Sequence, residues 1–307
     1  MQTRRGFLKL TAAAGGALAV GPRALGQAAE PASMAIARCT TSPQEAEAIQ
    51  AMAVQLTTQA IEALGGMKRF VKSGDVVWMK PNMAWDRTPD LAANTNPDVI
   101  ATLVKMCFEA GAGKVKVGDF PCHEAKLAYK SSGIADAAEK AGAEIVFLDE
   151  SRFREMNVGG KILKNWPVYP EIVEADLVIN APVVKTHSIA KMTLCMKNYM
   201  GIANDRQKWH QNLSDCLCDI TKFMKPRLCV VDAIRILTAN GPTGGNPADV
   251  KRMDTVAAGT DIVALDAFGA TLLEFKPEDI SSVVAGQAAG LGTMDYKSLN
   301  PKELTVA

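Results

Sequence analysis

The sequence is poor in the residues that usually announce a chemistry. It has three histidines, and none of its seven cysteines forms a CxxC pair. Without clustered cysteines there is no local ligand set for a ferredoxin-type cluster or a structural zinc site. Neither GxxxxGK[ST] nor GxGxxG occurs, which removes the P-loop and the dinucleotide fingerprint. Charge of one sign is also missing, because 34 basic residues face 33 acidic ones. No basic excess points to nucleic acid or to an anionic membrane surface. Beyond the N-terminus no apolar run approaches the roughly 20 residues that span a bilayer. There is no internal repeat, no low-complexity tract and no flexible linker.

The N-terminus is distinctive. Thr3-Arg4-Arg5-Gly6-Phe7-Leu8-Lys9 leads into a weakly apolar run, Leu10 to Val20, and then Ala24-Leu25-Gly26. A charged start, a short apolar stretch and small residues make an export signal, and the paired arginines before Phe-Leu-Lys match the twin-arginine type. Residues 1–26 are therefore expected to be removed on export to the periplasm, or outside the cell where there is no outer membrane. Losing Arg4, Arg5, Lys9 and Arg23 but no acid leaves 30 basic against 33 acidic residues, a net charge of −3. In an oxidising compartment one or two disulfides are open to the cysteines, although most read as small buried hydrophobes.

The rest, 34–300, alternates short apolar runs with helical patterns. Met34 to Cys39, Val76 to Met79, Val115 to Gly118, Glu144 to Leu148, Ala175 to Asn180, Arg227 to Val231 and Val256 to Ala258 read as strands. Helices are expected near 43–64, from Asn96-Pro97 to Gly111, and at 134–141, 213–224, 261–275 and 279–289. This alternation predicts an α/β protein, with a mostly parallel sheet and helices on both faces. Division into two lobes, 34–160 and 161–300, is compatible with the pattern.

Four of the strands end in polar groups: Lys80 with Asn82, Asp119, Lys185 with His187, and Asp232. In a parallel sheet the strand C-termini share one edge, the usual place for a ligand. The segment from Asn180 to His210 adds Lys191, Lys197, Asn198 and His210. If Val183 to Ser188 is extended, Lys185 and His187 point to the same side. Lysines supply positive charge, asparagines orient a carboxylate or phosphate, and histidine moves protons near neutrality. His187, His210 and an aspartate could also hold a metal. Gly241 to Gly245 reads as a surface turn, and His123 as a loop residue.

These motifs resemble a known family. Lys80-Pro-Asn82, Asn96-Pro97, Lys185-Thr-His187, Lys197-Asn198 with Gly201, His210, Gly241-Pro242 and Asp261-Ile-Val-Ala-Leu-Asp266-Ala267 occur in the order of the family catalogued as domain of unknown function 362. The resemblance covers roughly 75–295 and implies one family domain, with Asp266 a further ligand-binding candidate. Many relatives resemble iron–sulfur proteins through an added ferredoxin-like segment; this chain has none. More remotely, the order of elements is similar to the nickel-pincer lactate racemase family, with Lys185, His187, Lys197 and His210 in comparable regions.

The expected site uses Lys185, His187 and His210 for acid–base chemistry. Lys80, Asn82, Asp119, Lys191, Lys197, Asn198, Asp232 and Asp266 would bind a small anionic molecule. The cofactor is left open, with a metal or iron–sulfur cluster as options. Three readings share the site: an enzyme on a small anion, a metal- or cluster-associated redox protein, and a non-catalytic periplasmic binding protein. The export expectation is directly testable. Replacing Arg4 and Arg5 by lysine should trap full-length precursor in the cytoplasm; normal processing of that variant would remove the twin-arginine assignment.

Overall fold

The structure is a computed structural model that describes residues 31–307, so the expected signal segment lies outside the described residues. The first half runs β1 (Met34–Cys39), α1 (Ala46–Ala63), β2 (Val76–Pro81), α2 (Pro97–Ala110), β3 (Lys114–Val117), α3 (Ala125–Ser131), α4 (Ile134–Lys140) and β4 (Glu144–Ile145). A small hairpin follows, β5 (Arg154–Asn157) with β6 (Asn165–Val168), and then α5 (Pro170–Glu174). The second half runs β7 (Leu177–Ala181), β8 (Val183–His187), β9 (Lys191–Thr193), α6 (Cys195–Asn198), α7 (Leu213–Met224), β10 (Leu228–Leu237), β11 (Val250–Gly259), α8 (Ile262–Leu272), α9 (Ser281–Ala288) and β12 (Lys302–Val306).

One sheet takes strands from both halves, in the order β12-β1-β11-β10-β7-β2-β3-β4, with β8 and β9 extending from β10. Pairing is parallel except where β11 meets β1 and β10 and where β9 turns back on β8. Strand residues alternate between two cores. Trp78 faces one side while Val77 and Met79 face the other, and Val231 and Val230 divide likewise. Helices α1, α2 and α4 cover one face; α6, α7, α8 and α9 cover the other.

Local chemistry sets the helix ends. Asn96 caps α2 by accepting from the Asp98 N–H, Pro97 occupies the first turn, and Gly111 (φ 108°) closes the helix. Asp261 caps α8 through the Ala264 N–H.

Several elements differ from the sequence expectation. Strand β10 continues past Asp232 to Leu237, because its second half gains a new partner in β8. Strand β11 is ten residues long, since β10 alone carries Val250 and, despite their polarity, Lys251 and Arg252 into the sheet, while β1 joins it only from Thr255 to Gly259. Helix α3 was unanticipated; the Glu124 carboxylate caps it by accepting from the Lys126 and Leu127 N–H groups. Strand β4 stops at Ile145 because it lies at the sheet edge with one partner, β3. All seven cysteines, each within the described residues, are free thiols.

Asp219 on α7 shows how a side chain fixes a loop. It is 5% exposed and accepts from the N–H groups of Lys161 (2.8 Å), Ile162 (2.7 Å) and Leu163 (2.9 Å). Asp219→Ala leaves those donors without their acceptor and should lower unfolding stability by about 3 kcal/mol or more. Urea unfolding measures the change, and a loss below about 1 kcal/mol would show that the loop finds other partners.

Candidate active site

The centre of the site is a buried ion pair. Lys80, at the end of β2, places Nζ 2.8 Å from Oδ1 of Asp119, which follows β3, and both side chains are almost fully buried. Burial pushes the Lys80 amine below its ordinary range, and Asp119 pulls it back. Lys80 Nζ also donates to the Pro81 carbonyl at 2.8 Å, while Asp119 Oδ2 accepts from the Met83 N–H at 2.8 Å. Gly201 sits against the pair because nothing larger fits: a Cβ there would lie 1.9 Å from Asp119 Oδ1 and 2.8 Å from Lys80 Nζ.

Asparagines extend the network. Asn198 Nδ2 donates to the Lys80 carbonyl (3.1 Å) and to Asn180 Oδ1 (2.8 Å), and its Oδ1 accepts from Asn82 Nδ2 (3.1 Å). Asn82 Oδ1 then accepts from Lys185 Nζ at 2.9 Å, and the Ala93 carbonyl accepts from the same amine. Lys185 is fully buried at the floor, with the Trp85 ring 5.7 Å away. No carboxylate among the described residues pairs with it, and desolvation brings its amine down to about 7.

A cavity of about 230 Å³ opens above this floor. Its lining includes Asn82, Asp119, Lys185, His187, Lys197, Asn198 and His210, so seven sequence-derived candidates meet in one place. Among the described residues, half-buried Lys197 has only the Met200 sulfur, 3.5 Å from Nζ, as a partner, and desolvation lowers its amine to about 8.

The two histidines are held in opposite tautomers. His187 Nδ1 accepts from the Ile189 (3.1 Å) and Ala190 (3.3 Å) N–H groups, which leaves the proton on Nε2. Desolvation and the nearby Lys197 depress this imidazole to about 3, so it is a neutral donor at physiological pH. His210 Nδ1–H donates to the Gln207 carbonyl at 3.0 Å, so in the neutral ring the lone pair lies on Nε2. Their ring centroids are 6.3 Å apart.

Four expected residues do not line the cavity: Lys80, taken up by Asp119, and three others. Lys191 is exposed at the turn between β8 and β9, with φ 61°. Asp232 is buried within β10 and binds the Asn96 and Ile234 N–H groups (2.7 and 3.0 Å), and desolvation raises it to about 6. Asp266 is buried on α8, accepts from the Cys195 N–H at 2.7 Å at the start of α6, and is raised to about 7 by desolvation. Both aspartates hold backbone donors that a buried fold must satisfy.

Sequence reasoning missed Arg206, Trp85, Cys122 and Thr193, all of which line the cavity. Arg206 is buried and donates to the carbonyls of Phe120 (2.6 Å) and Pro121 (2.9 Å). No periodic signal marked these residues. His123 does more than occupy a loop: its Nδ1 accepts from the Asp86 N–H at 3.1 Å and its ring packs edge-on against Trp85. Pro242, beside Gly241, also reaches the cavity.

The family model described as "Domain of unknown function (DUF362)" matches residues 77–271. The chain belongs to this family. A thylakoid-associated protein of Synechocystis is 30% identical over 260 residues, covering 80% of this chain and 79% of that one. Among solved structures, the lactate racemase apoprotein from Thermoanaerobacterium thermosaccharolyticum gives a TM-score of 0.47 at 12% identity, over 79% of this chain and 57% of that one. A structural-genomics protein from Thermotoga maritima gives 0.37 at 13% identity, over 66% of this chain and 53% of that one. The chain thus spans little more than half of either solved structure.

For this DUF362 member a cysteine-held iron–sulfur cluster does not fit the side chains present. Cys122 alone lines the cavity, and Cys107, Cys195, Cys216, Cys218 and Cys229 are buried. Among the described residues no three His, Cys, Asp or Glu side chains form a metal-holding group.

Gly201→Ala forces the Lys80–Asp119 pair apart and should cost about 3–5 kcal/mol, the range for breaking a buried pair. A loss below about 1 kcal/mol in denaturant unfolding would mean that the pair relaxes freely.

Proposed function

We propose that this protein is an exported enzyme that binds a small carboxylate- or phosphate-bearing substrate and moves a proton on it. One observation carries the reading. Lys185, Lys197 and Arg206 line one small cavity, and its only acid among the described residues, Asp119, is already taken up by Lys80. Uncompensated like charges in a low-dielectric place are unfavourable, and a bound anion offsets them. The cavity is below the roughly 300–1,000 Å³ of drug-sized sites, which favours a small ligand.

The opposed tautomers support proton transfer. His210 offers a lone pair at Nε2 and His187 offers a proton at Nε2, so one can accept while the other donates. Lys197, with its amine near 8, supplies positive charge where negative charge develops. Export to the periplasm rests on Thr3 to Lys9.

A panel of phosphate, acetate and citrate should contain an anion that stabilises the full chain by about 2.7 kcal/mol at a hundred times its dissociation constant. The thermal shift should shrink when Lys197, which makes no ion pair among the described residues, is replaced in Lys197→Ala. The pH dependence has a definite sign. The Lys197 amine is charged below about 8 and neutral above it, and an anion favours the charged form. The Lys185 amine, near 7, loses its charge first, so affinity is full below about pH 6 and weakens as pH rises through 7 and 8, by up to about tenfold per unit for each amine. No shift with any anion, or affinity that rises through pH 8, would overturn the reading.

A further inference from the structure

Cys122 is the one exposed cysteine of the seven, and it lines the cationic cavity. Its surroundings are built. The Cys122 N–H donates to the Ala84 carbonyl at 3.0 Å, which fixes the backbone. Arg206 Nη2 lies 3.6 Å from Sγ, and the guanidinium is held by the Phe120 and Pro121 carbonyls and packs 4.8 Å from the Phe120 ring centroid. A permanent cation against sulfur is the partner that a thiolate nucleophile uses. Lys197 shares the same cavity.

A second observation points independently to a ligand. Thr193, 4% exposed, lines the cavity, and its Oγ1 is buried without a hydrogen-bond partner among the described residues. Buried hydroxyls are rarely left unpaired, and a ligand oxygen would complete this one. Together with His187 Nε2–H, the Thr193 hydroxyl gives the wall two neutral donors suited to an oxygen that gains charge.

We propose that Cys122 is a catalytic nucleophile of this cavity, adding reversibly to the carbonyl of a small substrate whose carboxylate or phosphate the cations hold. The inference rests on the anion-site reading and names the substrate class. In the step, the sulfur proton passes to His210 Nε2 and the Sγ–carbon bond forms. The carbonyl π pair moves to oxygen, beside Thr193 and His187, and a proton ends on that oxygen. S–H has then added across C=O, with no leaving group, oxidant or reductant.

Two measurements on the full chain test this. In the first, iodoacetate and iodoacetamide differ only in charge, and each alkylates a thiolate with loss of iodide. Peptide mapping should show Cys122 favouring iodoacetate over iodoacetamide by at least tenfold more than free glutathione does, and Lys197→Ala should reduce that preference. In the second, glyoxylate and acetate share a carboxylate but only glyoxylate carries a carbonyl. Glyoxylate should give the larger thermal shift in wild type, and Cys122→Ser should erase the difference while keeping the acetate shift. Cys122 labelling with glutathione's own preference, or a glyoxylate advantage that survives in Cys122→Ser, would overturn the proposal. Loss of every carboxylate shift in wild type would instead remove the anion site, and with it this inference.

Discussion

The site depends on one buried ion pair. Lys80 and Asp119 leave the ends of adjacent parallel strands, β2 and β3, whose register pairs Met79 with Val117. Sheet geometry therefore brings the ammonium and carboxylate together before any loop is placed. Neither charge could be left alone in this surrounding, because an unpaired buried ion costs several kcal/mol. The pair need not add net stability, since desolvation offsets much of its attraction. What it imposes is position. Met83, Asn198 and Gly201 all fit around it, and they tie the segments after β2, after β3 and around α6 into one floor.

A bend in the sheet supplies the other wall. Pro182 separates β7 from β8, and the long strand β10 pairs with each in turn, Cys229 with Asn180 and Asp232 with Val183. The chain thus continues beyond the edge where β2 and β3 stop. Lys185 is carried to Asn82 at the floor, and His187 to the cavity lining. The Lys80–Asp119 pair is electrically balanced and set among amide hydrogen bonds. The rest of the cavity is not, because among the described residues Lys185, Lys197 and Arg206 find carbonyl, amide or thioether neighbours and no carboxylate.

Fixed backbone groups also divide the labour of the histidines. Two N–H groups face His187 Nδ1, whereas a carbonyl faces His210 Nδ1. Two chemically identical side chains become a donor and an acceptor because of what the neighbouring main chain offers.

The order of apolar runs and helix signals in the sequence by itself determined the α/β class, the mostly parallel sheet and the capped helix at Asn96-Pro97. Each follows from neighbours within a few positions, through side-chain period, caps and glycine stops. The motif order likewise determined the family, and strand ends marked Lys80, Asn82, Asp119, Lys185 and His187. Tertiary structure alone decided which polar residues face the cavity. Asp232 and Asp266 look like site carboxylates in sequence, but they are consumed by the backbone N–H groups of Asn96 and Ile234 and of Cys195. Arg206, Cys122 and Thr193 carry no local signal, because segments separated by many residues bring them to one cavity. Whether a polar side chain serves the fold or remains available to a ligand depends on which partners meet it in space, and sequence spacing does not encode that for loops.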